Sequence, residues 1–251
     1  MKIKNNSLAI NSILIAISTF TIAIILHESA HFFIANLFNL NPELHHNYTH
    51  YSSKTNEKQL MLIAAAGPLF SLLIGSIILY ISIKLIKPSL FKLFTLWLGM
   101  NNFIILFGYI LTAPFVKNGD TGRVFDYYKI PFFIAIIIAL ISLLIIKKIF
   151  TNLSKEFAFY KNNELFNKEE NSRQMLLYPI ICSIIVNTIL NLPVHHFISL
   201  LPTIFVPLTY ISTLRTYKKL DITNSNITIN SVSMPLMFFT IIAILFFRYL
   251  V

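Results

Sequence analysis

Charged residues are scarce in this 251-residue chain, where Asp, Glu, Lys and Arg together make up only 12%. A soluble chain carries about a quarter charged residues, because its surface must interact with water. Hydrophobic residues instead reach 56%, and the mean hydropathy is +0.71. This composition excludes an ordinary soluble globular protein and indicates an integral membrane protein, with the lipid bilayer as its main partner.

Cysteine is nearly absent as well. The single cysteine, Cys182, lies within an apolar run, which excludes an internal disulfide and any metal cluster built from cysteines. The net charge of +10 comes without a basic patch interleaved with aromatic residues, so the sequence predicts no nucleic-acid partner. In a membrane protein, an excess of Lys and Arg is typical of loops that face an anionic cytoplasmic leaflet.

Seven apolar segments, each bounded by charged residues or by Asn and Pro, are candidate membrane spans. They cover residues 8–38, 60–86, 93–116, 131–146, 175–192, 197–212 and 234–250. Because lipid offers the backbone no hydrogen-bond partner, such spans fold as helices. Pro202 and Pro207 are expected to kink the sixth span or make it re-entrant. The predicted fold class is an all-α polytopic integral membrane protein with about seven transmembrane helices.

Three ionisable residues, His27, Glu28 and His31, lie within the first apolar segment. Ionisable side chains are costly in a bilayer, so their presence there calls for a functional explanation. Residues four apart lie on one face of a helix, and His27 and His31 can therefore bind one tetrahedral metal ion. Glu28, rotated by about 100° around the helix, can reach a water molecule on that ion. This is the HExxH pattern, and it predicts a Zn²⁺ cofactor.

A catalytic zinc site needs a third protein ligand, and the chain has only three Asp and seven Glu. Asp120 is the best placed, because it follows the third span between Gly119 and Gly122, in a turn where the backbone can approach a ligand closely. Three successive spans also bring His31 and Asp120 to the same side of the membrane. The alternatives are an ordinary turn role for Asp120 and ligation by Asp126.

Five further histidines compete for functional roles. His45, His46 and His50 lie in the loop after the first span, and they are either rival ligands or ordinary solvated side chains. His195 and His196 lie in a short turn predicted on the same side. They either assist substrate access and proton transfer, or are interfacial residues that water and lipid headgroups solvate.

These motifs resemble those of the site-2 proteases, a family of intramembrane zinc metalloproteases. His27, Glu28 and His31 match the family's HExxH helix. Residues 119–123 resemble the Asp-Gly motif that completes the family's site at the end of a later span. Between them, residues 65–71 look like the family's Ala-Gly-Pro segment. The three motifs occur in the order found in the family.

The resemblance covers about residues 20–125 and includes departures from the family pattern. Ser71 stands where the family often has Asn, Thr112-Ala113-Pro114 replaces an Asn with prolines, and a threonine separates the Asp from its Gly. The resemblance implies a metalloprotease core of three transmembrane helices in residues 1–130. Residues 131–251 are then accessory transmembrane helices of unknown role.

Three residues of the core are candidates for substrate binding: Gly67, Ser71 and Asn102. Gly67, with Pro68, marks either a close helix contact or a break beside the site. Asn102 and its neighbour Asn101 lie in the middle of the third span, where they hold either a substrate backbone or another helix.

The resemblance implies hydrolysis of a peptide bond in a membrane-anchored protein or a small peptide precursor. His27, His31 and Asp120 would hold the zinc ion, and Glu28 would act as the catalytic general base. The protein is expected to cross a bacterial cell membrane several times.

The alternative is a non-proteolytic membrane protein, such as a peptide exporter or an immunity protein, with a structural or absent metal site. Structural zinc sites normally have four protein ligands. This chain offers three good candidates, which favours an open catalytic site.

Overall fold

The described part of the chain is almost entirely helical. The computed structural model describes residues 7–51, 55–161, 166–194, 200, 209–220, 229 and 231–250. Its helices are α1 (Ser7–Leu37), α2 (Glu57–Lys84), α3 (Leu90–Thr112), α4 (Asp120–Tyr127), α5 (Phe132–Ala158), α6 (Lys168–Ser172), α7 (Tyr178–Leu190), α8 (Tyr210–Lys219) and α9 (Met234–Tyr249). Two short antiparallel strands, β1 (Glu43–Leu44) and β2 (Thr49–His50), form a hairpin between α1 and α2.

Five stretches are long and apolar enough to cross a bilayer: α1, α2, α3, α5 and Lys168–Leu190. In the last, a π-helical turn (Arg173–Leu177) joins α6 to α7. These helices confirm the prediction of a multi-pass helical membrane protein. The seventh predicted span corresponds to α9, an apolar helix of only 16 residues, and most of the sixth, with Pro202 and Pro207, lies outside the described residues. The count of seven spans therefore stays a prediction.

The fourth span is longer than the sequence predicted. Its apolar run was expected to end at residue 146, whereas α5 continues to Ala158. Beyond the run, Phe150, Leu153 and Phe157 recur at helical spacing and are buried. Such a stripe packs against the neighbouring helices α3 and α8, so tertiary contacts extend the helix past the purely apolar segment.

α1 occupies the centre of the molecule and packs against α2, α3, α7 and α9. α2 and α3 cross closely where Gly75 of one meets Gly99 of the other. A Cβ atom at Gly75 would lie 3.1 Å from Cβ of Asn102 and 3.2 Å from the Gly99 oxygen. Small residues permit such close approach of membrane helices. α2 continues through Pro68, so the structure contains a close helix contact there and no break.

Polar side chains inside the bundle bind one another. The Asn101 amide donates to Oγ1 of Thr19 at 2.9 Å, and the Tyr210 hydroxyl donates to Oδ1 of Asn101 at 3.1 Å. Thr21 donates to Oδ1 of Asn187 at 3.2 Å. These bonds connect α1 with α3 and α7, and α3 with α8. Asn101 therefore contributes to helix packing, one of the two roles that the sequence allowed.

The hairpin connection contacts the ends of two helices from the second half of the chain. Nε2–H of His46 and the amide of Asn47 both donate to the Asn191 carbonyl oxygen, at 3.3 and 2.7 Å. The backbone N–H of His46 donates to the Leu250 carbonyl oxygen at 3.1 Å. The ends of α7 and α9 therefore lie on the same side of the molecule as the hairpin.

Candidate metal centre

His27, His31 and Asp120 form a group of side chains, within the described ranges, that can hold one metal ion. Nε2 of His27 lies 2.8 Å from Oδ2 of Asp120, and Nε2 of His31 lies 3.1 Å from the same oxygen. The two Nε2 atoms are 3.1 Å apart. α1 presents both histidines on one face, and α4 brings the aspartate. The three residues that the sequence selected as ligands therefore converge.

The separations suit a tetrahedral ion. Bonds of about 2.0–2.2 Å to nitrogen and oxygen put neighbouring ligand atoms of a tetrahedral site about 3.3–3.6 Å apart, and the observed distances of 2.8 to 3.1 Å are somewhat shorter. His27 and His31 are 1% and 5% exposed, whereas the Asp120 side chain is 21% exposed. Two imidazole nitrogens and one carboxylate oxygen are a suitable donor set for a transition-metal ion.

The outer ring nitrogens hold both imidazoles in position. Nδ1–H of His31 donates to the Ile63 carbonyl oxygen at 2.6 Å, and Nδ1 of His27 lies 3.1 Å from the Ser71 hydroxyl oxygen. With the proton on Nδ1, a neutral imidazole presents a lone pair at Nε2. Two lone pairs and a carboxylate oxygen then face one another, an arrangement that a cation stabilises. Ser71, predicted to bind substrate, is fully buried behind His27.

Gly67 lies directly against the two imidazoles. A Cβ atom there would overlap Nε2 of His31 and both Cε1 and Nε2 of His27. Glycine therefore leaves room for the paired rings at this point of α2. Gly67 was predicted to bind substrate, and its observed neighbours are two of the candidate metal ligands, His27 and His31.

A second glycine positions the aspartate. Asp120 is the first residue of α4, and α4 packs against α2. A Cβ atom at Gly122 would overlap the carbonyl group of Val116, so glycine allows the preceding turn to fold onto the helix. Burial raises the pKa of Asp120, but when the imidazoles carry protons at Nε2, the charge of His31 and the hydrogen bonds of both rings outweigh burial and hold this pKa below its usual range.

Glu28, the predicted general base, is buried at 4% exposure. The Thr49 hydroxyl donates to the Glu28 carbonyl oxygen at 3.1 Å and lies 3.4 Å from Oε2 of its carboxylate. Strand β2 therefore holds this residue from outside the helix bundle. Thr49 was not predicted, because nothing in the sequence indicates which loop residue reaches α1.

Two open cavities adjoin the candidate metal centre. The first, of about 560 Å³ including its opening, is lined by His27 and Asn191 and by a larger set of apolar side chains: Phe20, Ile24, Ile104, Ile105, Val194 and Leu200. Val194 and Leu200 belong to the second half of the chain, which therefore helps to form the surroundings of the site. We call this space the apolar cavity.

The second space has a volume of about 540 Å³, including its opening to the outside. It is lined by His31 and Asp120 together with polar side chains. These are Asn47, Tyr48, Thr49, Tyr51, Asn118 and Arg123. We call it the polar cavity. Glu28, Asn47 and Tyr109 line both cavities, so the predicted base lies where the two spaces adjoin.

Tyr109 is a site residue that the sequence did not indicate. Its ring stacks on the His27 ring with 4.9 Å between centroids and an interplanar angle of 2°. A tyrosine near the end of an apolar span has no distinctive spacing from the HExxH motif. Only the packing of α3 against α1 reveals the contact.

Two candidates lie away from the group of ligands. The Asn102 amide donates to the Leu98 carbonyl oxygen at 2.9 Å, and its Cβ faces Gly75. Asp126, the substitute ligand, has its carboxylate 3.9 Å from Nζ of Lys117. Asn102 is therefore at the α2–α3 contact, and Asp126 is on the surface.

The loop histidines are not part of the ligand group either. His45 stacks on Tyr48, His46 contacts the end of α7, and His50 pairs within the hairpin. His195 and His196 lie outside the described residues.

This arrangement combines three converging ligands, a buried carboxylate and space on two sides. A metal ion held by these residues would polarise a carbonyl group and activate water for hydrolysis. No protein-family model matches the chain, and no significant match was found among curated proteins or solved structures.

Proposed function

We propose that this protein is an intramembrane zinc metalloprotease of the site-2 protease type. The observation that carries the proposal is the convergence of His27, His31 and Asp120, with 2.8 to 3.1 Å between ligand atoms. HExxH on a membrane helix and a distant Asp-Gly motif are the features that suggested this family. Their close approach in space supports the same conclusion.

A catalytic role explains the number of ligands. Structural zinc sites are closed by four protein ligands, whereas catalytic sites use three and keep a position for water or substrate. The ligand group in the described part of the chain has three members. Two cavities adjoin it, and Glu28 lines both. This combination favours hydrolysis over a purely structural ion.

A zinc ion bound to these residues would polarise the scissile carbonyl group and increase the acidity of a water molecule. Glu28 takes the proton of the attacking water and returns it to the nitrogen of the departing amine. The Thr49 hydroxyl, 3.4 Å from Oε2, orients this carboxylate. Ser71 and the Ile63 carbonyl group keep both imidazoles in the ligating orientation.

The proposed substrate is a membrane-anchored protein or a short peptide precursor in a bacterial cell membrane. A helical substrate must unwind near the cut, because its carbonyl groups are otherwise hydrogen-bonded and shielded. The polar cavity gives water a route to the site that the lipid does not provide.

The test is Glu28→Gln, with Glu43→Gln as the matched control. The Glu43 side chain is 73% exposed on the hairpin and lies outside the ligand group. Membranes from cells that express each variant are compared for new protein N-termini, and the purified proteins are analysed for zinc. We expect cleavage products with wild type and Glu43→Gln, and their loss in Glu28→Gln with zinc retained.

Products that persist unchanged in Glu28→Gln would contradict the proposal. Absence of zinc from the purified wild-type protein would contradict it as well. Either result would favour the exporter or immunity-protein alternative.

A further inference from the structure

Arg123 brings a positive charge into the polar cavity beside the metal ligands. It lies three residues after Asp120 on α4, and both residues line this cavity. Residues three apart share one face of a helix, with about 5–6 Å between their Cβ atoms. The side chains of Asp120 and Arg123 therefore start from neighbouring positions on α4, about one helical turn apart.

The guanidinium group has a neutral partner. Its Nη1 donates to the Tyr51 hydroxyl oxygen at 2.9 Å. Among the described residues, the ion pairs within 4.0 Å do not include Arg123. Two carboxylates line the cavity, and each has another role in the proposed mechanism: Glu28 as the general base and Asp120 as a metal ligand. Arg123 therefore retains donors for a carboxylate brought by a ligand, which a guanidinium binds in a bidentate manner.

The apolar cavity lies on the other side of the centre. It offers Phe20, Ile24, Ile104 and Ile105 to a ligand, and such a surface favours an apolar side chain. Because Glu28 lines both cavities, a peptide bond next to it has an apolar environment on one side and Arg123 on the other.

We propose that the substrate is a peptide whose scissile bond separates an apolar residue from a segment that carries a carboxylate. The apolar side chain occupies the apolar cavity, and Arg123 binds the carboxylate. This inference rests on the proposed function. The carboxylate comes either from an Asp or Glu side chain or from the C-terminus of the peptide. Arg123 and the ligand His31 line one cavity, which favours a peptide over a lipid headgroup at this position.

The first experiment measures binding without cleavage. Zinc-loaded Glu28→Gln protein in neutral detergent is titrated with fluorescent peptides that share one apolar half. Three polar halves are compared. The first contains Asp and has an amidated C-terminus, the second contains Asn and has an amidated C-terminus, and the third contains Asn and has a free C-terminal carboxylate. We expect a carboxylate to tighten binding by about tenfold or more. The two carboxylate peptides distinguish the side chain from the C-terminus as its source.

Variants assign this preference to Arg123. In the Glu28→Gln background, Arg123→Gln should abolish the carboxylate preference, and Arg123→Lys should retain part of it. Arg123→Glu should instead favour a peptide with Lys in place of Asp. Lys117→Gln is the matched control, because Lys117 precedes the same helix, is 81% exposed and does not line the cavity. It should leave the preference unchanged.

Three results would overturn the inference. The first is that the Asp and Asn peptides bind equally and the C-terminal carboxylate also has no effect. The second is that Arg123→Gln weakens the binding of all peptides equally. The third is that Lys117→Gln loses the carboxylate preference. A fourth result comes from adding anionic lipid to the micelles. If the lipid fully displaces the carboxylate peptide, Arg123 binds a lipid headgroup and the inference is wrong.

Cleavage by the protein with Glu28 intact separates this inference from the proposed function. If the tightest-binding peptide and a membrane-anchored version of it both stay uncut, the protease proposal fails. If peptides are cut in a Glu28-dependent manner without regard to a carboxylate, only the inference fails.

Discussion

The Ser71 hydroxyl lies 3.1 Å from Nδ1 of His27, while Nε2 of the same ring faces Asp120. The serine therefore orients one of the three candidate metal ligands from behind. Ser71→Ala should lower zinc affinity by about 10- to 100-fold, the usual effect of removing a partner of a metal-binding histidine. Competition with a fluorescent chelator in detergent measures the affinity.

Ser82→Ala is the matched control for this change. Ser82 is also fully buried on α2, but its hydroxyl accepts a hydrogen bond from Thr95 at 3.0 Å. Its removal should affect the contact between α2 and α3 and leave zinc affinity unchanged. Equal affinity of wild type and Ser71→Ala would contradict the orienting role.

Gly67→Ala should remove most of the bound metal. The added methyl group would overlap both imidazoles, so the rings would have to move apart. We expect zinc occupancy below about a tenth of wild type, measured by elemental analysis after gel filtration. Gly75→Ala adds the same methyl group further along α2, at 3.1 Å from Cβ of Asn102. That variant should lower the melting temperature and keep its zinc, and full zinc occupancy in Gly67→Ala would refute the crowding argument.

Tyr210→Phe and Tyr217→Phe should differ in stability. The Tyr210 hydroxyl donates to Asn101 at 3.1 Å, and hydrogen bonds between membrane helices contribute about 0.6 kcal/mol on average. The Tyr217 hydroxyl is buried with no hydrogen-bond partner in the described part of the chain, so its removal relieves an unsatisfied group. Thermal unfolding in detergent should show a lower melting temperature for Tyr210→Phe alone. Equal losses in both variants would contradict the packing role of Asn101.

His46 should make stability depend on pH. Burial and the nearby Arg248 lower the pKa of His46, and the bond to Asn191 only partly opposes them. The unfolded chain, with a pKa of 6.5, then binds a proton more readily than the folded chain, and stability is lost as the pH falls below that value. His46→Gln keeps a donor and removes the titrating group.

The measurement compares melting temperatures of chelator-treated proteins between about pH 7.5 and about pH 5.5. Chelation removes the contribution of bound metal from both proteins. Wild type should lose more stability than His46→Gln over this range. Parallel curves would show that His46 does not cause the dependence.

The three side chains able to bind a metal could be predicted because helix geometry makes the pattern local. His27 and His31 had to share a face once the first span was helical, and the glycines around Asp120 indicated a turn able to approach them. Helix lengths were less predictable. α5 extends to Ala158 because buried contacts, which have no local sequence signal, continue beyond its apolar run.

The surroundings of the candidate substrate-binding residues were the hardest to predict, because they depend on which helices adjoin. Gly67 and Ser71 lie against His27, whereas Asn102 lies at the α2–α3 contact. Tyr109 and Thr49 reach the centre from α3 and from the hairpin. None of these contacts follows from spacing along one helix.

The amino-acid sequence by itself determined the membrane location, the helical class and the three side chains able to bind a metal. Each depends on composition or on distances within one helix or turn. Only the tertiary structure decided that Gly67 and Ser71 contact the candidate ligands, and that two cavities of different polarity adjoin Glu28. The physical reason is that such contacts join residues distant in the chain, and close packing of the helices selects them.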